Sequence, residues 1–397
     1  MTSTPSMIEL RSGLISADDH VQEHPRVWLD RVPRGDITAR VPQVQRGPDG
    51  VEQWVVDGNP IPFGWVASAG ATMPDRTLEA QRWEEVPAAA YDPSARLKAM
   101  DADGVDASVL YPSVAGRAGE TLARLADPEL ELACVQAYND WLIEEWLSVS
   151  ERFVPQCLVP LSSAEAAERE IERAAARGHR GVLLPSVPSD LRDAPHINEP
   201  YWDPIWATCQ DLGIPVCFHA GASERIQLLP HESYSPSLAE ALRAMTRPVS
   251  SVFVLVNFLL SRILDRFPRI HAVFAESGIA WAAYLLEYAD HQFRNDRLAE
   301  QGYELKPSEL FRRNCYLTGW YERASMQTRH SIGIENILWS TNFPLTTSTW
   351  PNTHQMIGRW SEAAAEDERQ RILWANAAAL YGIQVAGTVT SATSRSV

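Results

Sequence analysis

Eight short apolar segments alternate with longer amphipathic ones along this chain, and that rhythm leaves few folds open. The short segments fall at residues 14–18, 105–111, 153–161, 181–185, 214–219, 270–276, 315–318 and 337–341. Between most of them lie stretches whose apolar residues recur every 3.6 positions, at 93–102, 128–147, 164–177, 204–212, 237–266, 279–297 and 323–331, with a last one at 366–381. Gly178 and Gly213 stand where a helix must stop before the next strand. Strand and helix in alternation predict an α/β fold, a (β/α)8 TIM barrel, with a doubly wound sheet as the alternative.

Residues 24–92 break the rhythm. They are rich in Pro, Gly and Trp and carry a hairpin pattern from Gln53 to Ile61. We read them as an insertion after the first strand, on the catalytic face, forming a lid or substrate wall. Residues 1–385 then make a single metal-dependent domain, and the small polar residues of 386–397 a disordered tail.

A net charge of −16 argues against nucleic acid or an anionic membrane as partner. It leaves room for an anionic small molecule in a local basic pocket. The five cysteines are odd in number and form no C-x-x-C pair, which fits a reduced, cytoplasmic protein. Residues 1–13 lack the pattern of a signal peptide, and the most apolar run, 252–260, is too short to span a membrane.

Active groups of such a barrel sit at the carboxyl ends of its strands. Strand one ends in Asp18-Asp19-His20, with Glu23 and His24 just beyond; strand five ends in His219, strand six in Glu276, and strand eight runs into Asn342. Imidazole, carboxylate and amide oxygen from four separate stretches suit a first-row transition metal. Strand alternation sends Asp19 the other way from Asp18 and His20. Glu287 and His291 share a face of the helix after Glu276. If that helix crosses the barrel mouth, His291 reaches a second metal, with Glu23 as a further ligand. His231 is an additional histidine in the loop after strand five, and Trp65, Trp281, Trp320 and Trp350 are candidate apolar walls.

The motif from Ser16 to Glu23 resembles the opening of the amidohydrolase-related barrels that include the aminocarboxymuconate semialdehyde decarboxylase group. The stretches from Met100 to Asp106, from Glu276 to Trp281 and from Ser348 to Pro351 resemble further signatures of that family, and the likeness spans roughly residues 14–383. It implies metal binding by Asp18, His20 and His219, with position 342 as the ligand from strand eight. Members usually have Asp at that position, His after strand six and often His where this chain has Leu345; here Asn342 and Glu276 stand in the first two places. An amide can offer its oxygen to a metal but cannot serve as a base near neutral pH.

These departures resemble a branch of barrel-fold nonheme diiron monooxygenases of diterpenoid antibiotic biosynthesis. That branch implies two iron ions held by Asp18, His20, Glu23, His219, Glu276, His291 and Asn342, with Glu276 and Asn342 at the reacting centre. It also implies a coenzyme A-linked terpenoid substrate, dioxygen, an external electron donor and a homodimer. The alternative is a mononuclear zinc or manganese hydrolase or decarboxylase with Glu276 as its base. A third reading is a non-catalytic binding protein in which Asn342 marks a decayed site.

Overall fold

The apolar segments become strands, as their periodicity requires. A computed structural model describes residues 13–62, 80, 82–222 and 233–384. β1 (Ile15–His20) opens the barrel; β2 (Gln43–Arg46), β3 (Glu52–Val56) and β4 (Asn59–Pro62) form a separate antiparallel sheet. The barrel resumes with β5 (Ala107–Tyr111), β6 (Phe153–Leu158), β7 (Gly181–Leu183) and β8 (Val216–His219). β9 (Ala272–Ala275), β10 (Cys315–Gly319) and β11 (Ile337–Trp339) complete it. The eight barrel strands run parallel in the order β1-β5-β6-β7-β8-β9-β10-β11. The two ends of that order meet, because Asn342 N donates to Asp18 O at 3.0 Å and His20 N to Phe343 O at 2.6 Å. The molecule is a (β/α)8 barrel, as the alternation predicts.

Helices cover the strands: α1 (Pro93–Asp103), α2 (Pro128–Trp141), α3 (Ala164–Arg177), α4 (Asp203–Leu212), α5 (Pro236–Leu260), α6 (Ala280–Asn295) and α7 (Arg323–Ile332). α3 shows how the sequence sets them. Ser163 caps its start by accepting from Ala166 N at 3.2 Å. Ala164, Ala167, Ile171 and Ala174 form the buried stripe. Gly178, at φ 118°, ends it in a backbone conformation that other residues adopt only with strain. α2 continues as a π-helical turn over Leu142–Leu147, so the predicted 128–147 helix is one continuous rod.

β1 is irregular where it matters. Its register with β5 shifts between Ser16 and Asp19, a bulge that re-aims side chains at a strand end. Asp19 points between the barrel and its helices. It accepts from Ser16 Oγ (2.8 Å), Ser108 Oγ (2.5 Å), Thr341 Oγ1 (2.5 Å) and Phe343 N (3.0 Å), which ties β1 to β5 and to the segment after β11. The outward orientation expected of Asp19 is therefore observed. β1 extends two residues past the expected Asp18, and β11 stops two residues short of the expected Thr341.

The expected hairpin is present as β3 and β4. Its turn residues Asp57 and Gly58 both have positive φ (49° and 77°), as a tight two-residue turn requires. The described part of the insertion is anchored along the outside of α2. Trp28 Nε1 donates to Cys134 O at 3.0 Å, and Arg40 pairs with Asp127 at 2.7 Å. The lid role falls partly on residues 63–79 and 81, the wall role of Trp65 among them, and these lie outside the described residues, as does His231. Among the described residues, no helix is long and apolar enough to cross a membrane.

Candidate metal centre

Three strand ends meet at the carboxyl mouth of the barrel. Asp18 and His20 come from β1 and His219 from the end of β8, and all three are buried. His20 Nδ1 lies 3.1 Å from Pro112 O, and His219 Nδ1 lies 3.0 Å from Ala220 O. A carbonyl only accepts, so each Nδ1 carries its hydrogen, and each neutral ring turns a lone pair outward at Nε2. Those two Nε2 atoms face each other at 3.3 Å. Asp18 Oδ1 lies 3.6 Å from one and 3.7 Å from the other, buried and without a hydrogen-bond partner among the described residues.

Two lone pairs and a carboxylate oxygen do not converge in a dry site without a cation among them. A proton can serve in the ion-free protein. Burial works against charge on His219, but Asp18 and Glu276 outweigh it, and the His219 pKa is raised. Burial holds His20 at about 4, although Asp18 favours its charged form, so His20 is the neutral partner. A divalent ion fits better. Three atoms with these separations share a centre about 2 Å from each, the bond length of a first-row ion to nitrogen or oxygen. Asp18, His20 and His219 could thus hold a metal.

Two further groups border this cluster, and Asp18 places both. Its Oδ2 accepts from Glu276 N at 2.9 Å, and its backbone oxygen accepts from Asn342 N at 3.0 Å. Asn342 Oδ1 and Glu276 Oε2 are buried without hydrogen-bond partners among the described residues. Glu276 Oε2 lies 3.9 Å from His219 Nδ1. Burial opposes its ionisation, yet Arg247, His219, Arg117 and His20 together hold the Glu276 carboxyl down at about 2. Arg247 Nη1 reaches Glu276 Oε1 at 2.9 Å from α5, and Arg117 Nε lies 3.9 Å from Oε2 in the loop after β5.

Sequence reasoning misses both arginines. They lie on a loop and a long helix, far along the chain from Glu276, and neither belongs to a basic cluster. No local signal marks them.

Two expected ligands are not brought to the cluster. Glu23 serves the loop after β5: its carboxylate accepts from the backbone N–H groups of Ser113 (3.2 Å), Val114 (2.8 Å) and Ala115 (3.1 Å). It staples that loop and is not directed to a second ion. His291 is exposed on α6, as is Glu287, because Ala282, Leu285, Leu286 and Phe293 form the buried side of that helix. Among the described residues the cluster that could hold an ion is Asp18, His20 and His219, and neither Glu23 nor His291 joins it. Trp350 also departs from its expected role as a site wall: its Nε1 donates to Ala99 O of α1 at 3.3 Å, and its ring packs edge-on to Phe343.

The chain belongs to the amidohydrolase family, whose model, described as Amidohydrolase, matches residues 56–383. Gamma-resorcylate decarboxylase of Polaromonas sp. is 22% identical over 297 residues, which cover 72% of this chain and 86% of that protein. The crystal structure of an amidohydrolase from Mycobacterium avium subsp. paratuberculosis matches with a TM-score of 0.75 at 19% identity, covering 94% of this chain and 100% of the other. That of dihydroxybenzoic acid decarboxylase from Polaromonas sp., with bound manganese and 2-nitroresorcinol, matches with a TM-score of 0.62 at 19% identity, covering 94% and 98%.

These findings correct the functional expectation drawn from the monooxygenase branch. The curated relatives that match are decarboxylases, which belong with the alternative reading and not with an iron oxidoreductase. Two iron ions, dioxygen, an external electron donor and a coenzyme A-linked terpenoid lose their support together with that branch.

Proposed function

We propose that the protein is a decarboxylase of small hydroxylated aromatic acids that works with one divalent ion, manganese or zinc. Asp18, His20, His219 and the amide oxygen of Asn342 would hold it. The observation that carries the metal assignment is the pair of imidazole lone pairs facing each other at 3.3 Å beside a carboxylate oxygen that has no hydrogen-bond partner among the described residues. The reaction class and substrate type follow the decarboxylase relatives, whose names specify gamma-resorcylate and dihydroxybenzoic acid. When bound, the ion supplies Lewis acidity and an anchor for substrate oxygens.

The chain's own groups account for the proton. Replacing CO2 by hydrogen requires the ring carbon to gain a proton where the carboxylate is attached. Asn342 cannot exchange one near neutral pH. Glu276, held ionised beside Arg247, enters as a carboxylate. Its free Oε2 takes the proton of a ring hydroxyl and passes it to the carbon that bears the carboxylate. The C–C bond then breaks, its electron pair returns through the ring to the oxygen, and solvent reprotonates that oxygen. Arg117, about a quarter exposed at 25%, lends positive potential that draws an anionic acid inward.

Incubating the manganese-loaded protein with 2,6-dihydroxybenzoate under nitrogen tests the reading. CO2 and resorcinol are expected at the same rate as in air. Uptake of dioxygen with a product that keeps its carboxylate and gains a hydroxyl would overturn it.

A further inference from the structure

Glu276 and Asn342 leave their strands in the same uncommon way. Both have left-handed backbone (φ 50° and 55°), and both are pinned there by Asp18 through its side chain and its backbone oxygen. One residue thus fixes the separation of two strand ends, and their side chains touch. Asn342 Nδ2 donates to Glu276 Oε1 at 3.2 Å and to Thr347 Oγ1 at 2.5 Å.

We infer that Asn342 is a positioning residue for Glu276, and that the amide at 342 and the carboxylate at 276 form one coupled unit whose members cannot be chosen independently. Glu276 Oε1 takes two donors, Arg247 Nη1 at 2.9 Å and Asn342 Nδ2 at 3.2 Å. With Oε1 occupied, the carboxylate is locked and Oε2 is the oxygen left to act. The carboxylate sets the amide's orientation, because Glu276 Oε1 only accepts and the amide's nitrogen is its donor, while the Thr347 hydroxyl could pair with either end. Asn342 Oδ1 is thereby turned the other way, buried and without a partner among the described residues, as a ligand oxygen needs to be.

The room for this unit is built in. Gly221, at φ 80°, lies beneath the Arg247 stem, where a Cβ would stand 3.1 Å from Cγ and 3.3 Å from Cδ. Ser250 Oγ accepts from Gly221 N at 3.2 Å and donates to Arg247 O at 2.8 Å, which locks this turn of α5 to the loop after β8. An aspartate in place of Asn342 would set two carboxylates at hydrogen-bond distance. Oε1 would then lose a donor and face a second acceptor. The inference concerns the pair alone and does not depend on the substrate or on the decarboxylase reading.

The test is a double-mutant cycle on metal-free protein, read by thermal unfolding at pH 7. N342D alone is expected to lower the midpoint by about 2–5 °C. N342D/E276Q restores one carboxylate and one amide in reversed order, and it should unfold within about 1 °C of E276Q alone. If only the double variant folds, the coupling is supported in stronger form. Additive shifts would overturn the inference, as would a double variant that fails to fold. Manganese titration of the same four proteins gives a second reading: the double variant should bind within about tenfold of wild type, whereas a loss of 100-fold or more would count against a reversible pair.

Discussion

Glu276→Gln is expected to lower kcat by about 10²–10⁴-fold, the usual contribution of a positioned proton-transfer group. The amide keeps the shape of the carboxylate and can still accept from Arg247, so the backbone anchored on Asp18 Oδ2 should survive. Metal content should stay at the wild-type level, because the Asp18, His20 and His219 atoms are untouched. A fall in kcat with KM and metal content nearly unchanged assigns Glu276 to the proton transfer. A matching loss of metal would make it a ligand instead, and unchanged kcat would remove it from the chemistry.

His219→Ala is the second large effect. Losing even a group that merely orients a metal ligand costs 10- to 100-fold in affinity. Deleting the imidazole itself should therefore weaken manganese or zinc binding by about 100-fold or more and abolish activity at micromolar metal. The protein should still fold, because the removed ring is fixed mainly by its own neighbour's carbonyl, Ala220 O, and by the ligand cluster. Added metal stabilises the wild type through linkage, by about 2.7 kcal/mol at one hundred times the dissociation constant, and so raises its unfolding midpoint. The variant should show no such rise at that concentration. An unchanged metal-dependent midpoint would remove His219 from the site.

Much of this centre is legible in the sequence because barrel geometry does the assembling. Asp18, His20, His219, Glu276 and Asn342 lie at or just beyond strand ends, and strand ends of a barrel share one mouth. Nothing in the spacing reveals side-chain partners, and there the reading fails. A carboxylate near a strand end, such as Glu23, suits a metal and a loop equally well; three backbone N–H groups hold it to the loop. His291 pairs with Glu287 by spacing, which fixes a shared face without saying where that face points. The apolar stripe Ala282, Leu285, Leu286 and Phe293 did carry that information, since a helix buries its apolar side. Arg247 and Arg117 reach Glu276 only through tertiary folding. The monooxygenase expectation rested on a seven-ligand set that needed Glu23 and His291 beside the other five, and the decarboxylase relatives overturn it.

Asn342 also changes meaning. As a departure from a pattern it suggests a missing base; in the structure it is the donor that holds Glu276 Oε1, with its own oxygen turned the other way. In the proposed reading base and ligand are divided between these two residues, and the metal count is one per chain. Elemental analysis of protein purified without added metal, joined to anomalous diffraction at the metal edge, measures it directly. The account predicts one divalent ion per chain, manganese or zinc, bonded to Asp18, His20, His219 and Asn342 Oδ1. Two iron ions per chain, with Glu23 or His291 bonded to the second, would contradict it.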